Sequence, residues 1–463
     1  MHTDFRAGYV VDLPYPETFF RELSPAWINY VAAVCGAPVR PLERPFSYLE
    51  LGCGLGTSLI THAAAFPRGE FHACDINRTH VEHARAWAAA LGIHNLQFHA
   101  CSFEELRLPM FDFIVAHGVY SWVGAAQRQS IRHLVRDHLK PAGLLYLSYN
   151  SLPGWAGEMP LRKLLVELAA GEDEADTTLA RAARALASLE RLKFLEAQPV
   201  SADAIRAYTQ APIAYLAHEF LNQEWQAFYC LDVADQLAEA NVTYLGSATL
   251  VDNHPLLVTD EATLRGLGQL RSPRQRRLAL DFATQQRFRR DVFWRAQPHF
   301  ETGNLDRVWI GSAGCPRLLP TQVRVPRGIV HFRAAFSRKL GDLLEGGPLT
   351  IAAAVAALAG SEVEADECRR NLLYLVAAGV LQPFARQGGP SASPQACQPA
   401  DYVRQILRHS IERKVDCVLP SEWLGNGVRV TAAEAADLVH WLAGDRRAPP
   451  ELVGRLLRVG ILR

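Results

Sequence analysis

The first 150 residues alternate two kinds of hydrophobic pattern. Short apolar runs of strand length stand at 48–51, 70–75, 96–98, 111–116 and 144–149, and the segments between them repeat apolar positions at helical spacing. The clearest helix spans 79–91, with Val81, Ala84, Trp87, Ala88 and Leu91 on one face and Gly92 as its stop. A second runs through Ile131, Leu134, Val135 and Leu139 to a turn at 140–143. Strands alternating with helices in this way predict βαβ units, hence an α/β fold with a parallel sheet. Beyond Trp155 the pattern is helical, through Leu161, Leu164, Leu165 and Leu168, then an acidic loop at 171–176 and an alanine-rich helix to about residue 197. Nothing between 160 and 229 alternates like a strand, and alternation returns at 242–248 and 288–294. Two late strands are therefore expected to close the sheet within 236–300, leaving 156–235 as a helical insertion. In the last third, helical segments at 340–344, 351–358 and 368–377 precede a strand at 379–384, the order of a winged helix. A flexible loop at 388–394 and helices at 401–412 and 432–442 follow. The expected organisation is a core at 1–155, the insertion, a middle region at 236–330 and a winged-helix-like domain at 331–463.

Composition narrows this picture. The chain has 463 residues, more than one ordinary core requires, and its 48 basic and 48 acidic side chains cancel. A neutral chain gives no global field toward nucleic acid or an anionic membrane. An arginine-rich stretch at 265–295 accordingly reads as a solvated helix face. Nine cysteines are scattered without C-x-x-C pairs or metal-ligand spacing, the usage of a reducing, cytoplasmic compartment with no metal site. No run of about 18 apolar residues occurs, so no membrane span is expected.

The candidate chemistry starts at Glu50-Leu-Gly-Cys-Gly-Leu-Gly56, where a strand enters a G-x-G-x-G turn and leaves as a helix. Gly52, Gly54 and Gly56, with the backbone at Cys53, let a ligand approach without a Cβ in the way. Dinucleotide sites prefer G-x-G-x-x-G, with phosphates over the helix N-terminus. Here Glu50 precedes the glycines, which suits a cationic ligand without phosphate, and S-adenosylmethionine has that chemistry. Asp75, ending the second strand, stands near the spacing of a ribose-binding acid, with Ile76 beside it. An aromatic, proline-rich arm before the first strand, including Tyr15, has two compatible readings, a cover over the cofactor and a strap along one sheet edge. Ligands of open α/β sheets sit beyond the carboxyl ends of strands. The exits of strands four and five therefore border the reaction centre: His117, Tyr120 and Trp122 on one, Tyr149, Asn150 and Trp155 on the other.

The segments ELGCGLG, FDFIVAHGVYSWV, LKPAGLLYLSYNSLPGW and QQRFRRDVFW, together with 218–250, resemble the bacterial class I methyltransferases that carry a methyltransferase regulatory domain, over roughly residues 9–300. Some members are protein lysine methyltransferases. The resemblance implies a Rossmann-like, seven-stranded sheet, a C-terminal winged helix used for protein contact, and an adenine site near Ser102 and Phe103, where other methyltransferases keep an acid. It also implies a protein or peptide amine as acceptor, with aromatic walls from Tyr120, Trp122, Tyr149 and Trp155. Asn150 would orient the amine and His117 would take a proton. The insertion hangs over the substrate side or forms a homodimer contact. Two rivals share the cofactor residues: a small-molecule N- or O-methyltransferase, and a non-catalytic module that senses S-adenosylmethionine. Deletion of 331–463 is expected to separate a protein enzyme from a small-molecule one.

Overall fold

A computed structural model describes residues 17–170, 178–192, 221–222, 224–295, 305–360, 363–387, 399–445 and 449–462, with 210 and 213. The arm before residue 17, the acidic loop at 171–176 and the loop at 388–394 lie outside them. Seven strands form one sheet in the order β3-β2-β1-β4-β5-β7-β6. These are β1 (Phe46–Leu51), β2 (Gly69–Asp75), β3 (Leu96–Ala100), β4 (Phe111–Ala116), β5 (Leu139–Asn150), β6 (Thr243–Ser247) and β7 (Phe288–Trp294). The first five pair in parallel, whereas β7 runs antiparallel to both β5 and β6. Every residue of β1 and β4 is buried, as expected of parallel strands covered on both faces. Strand order reverses between β1 and β4, and a crevice opens there beyond their carboxyl ends.

The late closure of the sheet matches the returning alternation. The turn expected at 140–143 is instead absorbed into β5, with Ala142 at φ 60° and a register shift opposite Phe111 and Phe113. Helices α1 (Pro25–Val34), α2 (Thr57–Ala65), α3 (Arg78–Ala90) and α4 (Ala125–His138) flank the sheet. The insertion contains α5 (Met159–Ala169) and α6 (Thr178–Arg191). Trp155, Leu161, Leu165, Leu189 and Trp225 form its own apolar cluster, against which Trp122 packs.

Toward the C-terminus, the helices Ala334–Leu344, Ile351–Leu358 and Ala365–Ala377 precede a strand at Gln382–Phe384, the expected order. That strand pairs with Trp309–Gly311, upstream of all three helices, which is also the middle strand beside Leu349–Thr350. Among the described residues no wing hairpin follows Phe384, so the winged-helix expectation is met in helix order only. A later hairpin, Cys417–Ser421 with Asn426–Val430, packs against α2. Leu23, Trp27 and Phe66 share one buried apolar cluster with Phe384, Leu419, Leu424 and Val428. At this seam Gly425, at φ +62°, leaves no room for a Cβ, which would stand 2.6 Å from the Phe66 ring. Asn426 Nδ2 donates to the Arg21 carbonyl at 3.0 Å, Arg429 Nη2 to the Phe19 carbonyl at 2.9 Å, and Ser24 Oγ to the Gly425 carbonyl. Every described cysteine is free, and no described helix is long and apolar enough to cross a membrane.

Candidate active site

The glycine loop is built from the end of β1 and held by the end of β2. Gly52 and Cys53 both donate their backbone N–H to the Cys74 carbonyl, at 2.8 and 3.2 Å. Gly52 has φ +73°, and a Cβ there would lie 2.5 Å from Val119 Cγ2, so both conformation and space demand glycine. Gly56, also left-handed, is the residue from which α2 starts. Asp75 holds the loop with both carboxylate oxygens: Oδ2 accepts from Gly54 N and Oδ1 from Asn77 N, each at 2.8 Å. Each oxygen keeps a lone pair for a ligand hydroxyl.

A cavity of about 710 Å³ extends from this loop across the carboxyl ends of β4 and β5 and the amino end of the antiparallel β7. Its wall includes Glu50, Gly52, Cys53, Gly54, Gly56, Asp75, Ile76, Ser102, Phe103, His117, Trp122, Asn150 and Trp155, so most of the sequence-derived site is brought together. Glu50 is 5 % exposed and its Oε2 has no hydrogen-bond partner. Burial, then the neighbouring Asp75, pushes its carboxyl up to about 8. An orphaned buried carboxylate is an unfavourable feature that a cationic ligand relieves, and the sulfonium and ammonium of S-adenosylmethionine fit it. Ser102 lines the cavity, but its N–H and hydroxyl are both engaged by the Glu105 carboxylate, at 3.0 and 3.1 Å.

Three expectations change. Tyr120 and Tyr149 do not line the cavity; both are 0 % exposed, and their hydroxyls donate to Gln236 Oε1 at 2.6 Å and Asp291 Oδ2 at 2.5 Å. They are core residues on the far face. His117 does line it, with the Phe20 ring tilted at 35° against it, 3.8 Å between ring centroids, and Nδ1 2.8 Å from the Tyr146 hydroxyl. Burial, aided by the positive charge of Arg290, depresses its pKa to about 3, which makes it a poor proton acceptor near neutrality. The arginine-rich stretch is not all solvated. Arg289 is buried between Asp281 and Asp291, at 2.5 and 2.9 Å, and Arg287 stacks over Trp155 while pairing with Glu158.

Tyr15 lies outside the described residues, but Phe20 of the same arm does cover the cavity, tied by its N–H to Ser58 Oγ at 2.9 Å. The wall also includes Glu17, Thr18, Phe288 and Arg290, which no motif in the sequence marks as site residues. The alternation of Phe288, Arg290 and Val292 along β7 was the one signal available for two of them.

Two family profiles match the chain: a methyltransferase domain over residues 49–145 and a predicted methyltransferase regulatory domain over 212–295. The uncharacterized protein sll1526 of Synechocystis sp. is 30% identical over 467 aligned residues, covering 97% of this chain and 90% of that protein. A malonyl-[acyl-carrier protein] O-methyltransferase of Anoxybacillus flavithermus is 28% identical over 112 residues, 24% of this chain and 42% of that one. Among solved structures, PKMT2 from Rickettsia typhi in complex with AdoHcy superposes with a TM-score of 0.69 at 17% identity, over 94% of this chain and 88% of that one. A second structure of the same protein gives 0.70 at 16% identity, over 97% and 99%. At such identity the likeness speaks for the fold. With the glycine loop, the sheet order and the sequence relatives in agreement, the chain belongs to the class I S-adenosylmethionine-dependent methyltransferases that carry a methyltransferase regulatory domain.

Proposed function

We propose that this methyltransferase modifies lysine amines of a protein or peptide. The observation that carries the reading is the extent of the likeness to PKMT2, whose name reads as a protein lysine methyltransferase: 97% of this chain and 99% of that one superpose, C-terminal third included. A likeness of the sheet alone would favour no acceptor.

The acceptor end of the cavity agrees with an amine. Trp122, Trp155 and Phe288 give it an aromatic wall, and the side-chain carbonyl of the buried Asn150 would orient the amine by accepting from its N–H, leaving the nitrogen lone pair for the methyl carbon. The cofactor, when bound, supplies an electrophilic methyl group whose departure needs no acid from the protein. What remains for the chain is alignment, with the acceptor nitrogen about 3–3.5 Å from the methyl carbon. The amine must arrive neutral, against a reference pKa near 10.4. With His117 too weakly basic to take the proton, desolvation by the aromatic wall and loss of the proton to bulk water carry that step. The rate is therefore expected to climb steadily with pH between about 6 and 9, with no inflection near 6.5 of a histidine base; a profile that levels above pH 7 would contradict this.

Radiolabelled methyl transfer by the full chain into a fractionated host lysate tests the acceptor. Label in protein that disappears when lysines are blocked beforehand supports the proposal. Label confined to small molecules would establish the small-molecule rival, and no formation of S-adenosylhomocysteine in any fraction would establish the sensing module.

A further inference from the structure

We infer that Arg290 binds a carboxylate in the cavity, the α-carboxylate of the cofactor's methionine moiety. Along β7 the side chains alternate between the two faces of the sheet. Arg289 and Asp291 point to the far face, where with Asp281 they neutralise one another. Arg290 points to the cavity, paired in register with Ser148 of β5, and meets no such acid. Its Nη1 donates to Thr249 Oγ1 at 3.2 Å, its Nε is buried without an acceptor, and the guanidinium lies 5.0 Å from the centroid of the Phe288 ring. Among the described residues no carboxylate forms an ion pair with it.

The other basic groups of the described wall are already engaged or neutral. Arg287 is paired with Glu158 through both terminal nitrogens, His80 stands 3.9 Å from Asp75 at the ribose end, and burial keeps His117 uncharged. Arg290 is thus the one wall cation among the described residues whose charge is unmatched. A guanidinium half withdrawn from water, with most of its five donors unused, is costly until an anion enters, and its planar fork suits a carboxylate.

The ligand supplies that anion. The methionine end of S-adenosylmethionine carries an ammonium and a carboxylate on the same carbon. The cavity wall carries the complementary pair without partners of their own: Glu50 on β1 and Arg290 on β7, the latter close enough for its field to be felt at His117, which follows β4 between them. The inference concerns cofactor binding alone and stands or falls independently of which acceptor is methylated.

Isothermal titration of the intact protein with S-adenosylhomocysteine and with decarboxylated S-adenosylmethionine, which keeps the amine and lacks the carboxylate, tests it. Arg290→Gln should weaken S-adenosylhomocysteine binding roughly tenfold or more, the cost of losing a charge-assisted contact, and leave the decarboxylated ligand within about twofold of its wild-type affinity. Arg290→Lys should fall between, keeping the charge and losing the fork. Unchanged affinity of Arg290→Gln for S-adenosylhomocysteine overturns the assignment, and so does equal weakening of both ligands, which would make Arg290 a scaffold residue; melting temperatures of both variants accompany the titrations.

Discussion

The burial that makes Glu50 useful to a cation works against the cofactor-free protein. Its carboxyl, raised to about 8 in the fold, stays protonated across the range where the unfolded chain has already lost that proton. The folded state therefore binds more protons between about 4.5 and 8, and stability declines as pH rises through that window. Glu50→Gln removes the titration. Without cofactor the variant should melt higher than the wild type at pH 8, by an amount on the order of a few kcal/mol at most, and the difference should vanish near pH 4.5. Its affinity for S-adenosylmethionine should fall at the same time, since an amide cannot answer a sulfonium; scanning calorimetry and titration check the two halves. Tyr149 behaves in the opposite way. Its hydroxyl donates to a buried carboxylate and not to a ligand, so Tyr149→Phe should cost about 1–3 kcal/mol in urea unfolding and leave turnover of the folded enzyme nearly unchanged.

At the level of elements, the insertion is tied to the chemistry through two tryptophans. Trp122 and Trp155 stand in the cavity wall and also pack on the apolar cluster of α5 and α6, with Trp155 edge-on to Trp225 at 4.8 Å. Leu165→Ala, in α5 and touching no ligand, should open a cavity under that wall costing about 2–5 kcal/mol. Labelled transfer should drop while cofactor affinity stays within about twofold, if those helices shape the acceptor end. The strands were legible in the sequence because apolar runs and a period of two are local signals, and 242–248 and 288–294 carried them as clearly as 48–51. The site was legible where it sits on strand ends: Glu50, Asp75, His117 and Asn150. It was misread where that same period was not followed past the strand. Ser148 and Asn150 share a face with the cavity, so Tyr149 between them must point away. The aromatic arm over the cavity was legible in composition, but the meeting of Phe20 with His117 was not, because the two rings stand 97 positions apart with no pattern linking them.

Across the whole molecule, the C-terminal third is joined to the methyltransferase sheet by a shared core. Removing residues 331–463 would strip the cover from Trp27 and Phe66, cut the hydrogen bonds that hold Phe19 and Arg21, and so loosen the segment carrying Phe20. The truncated chain should bind S-adenosylmethionine weakly and unfold at lower temperature, which circular dichroism and titration would register. Loss of transfer on truncation therefore does not distinguish a protein acceptor from a small one. The same seam bears on how the enzyme comes into being. Asn426 and Arg429 grip carbonyls 405 and 410 positions earlier, and at about 5–20 residues per second a ribosome needs roughly 20–80 s to cover that distance. For the later part of that interval, once residue 150 has emerged, the glycine loop and the first five strands are out of the ribosome, but the clasp that seats Phe20 above the cofactor has not been made. A nascent or prematurely ended chain that stops short of Asn426 thus carries the binding motif without the clasp, and a closed site awaits translation past Arg429.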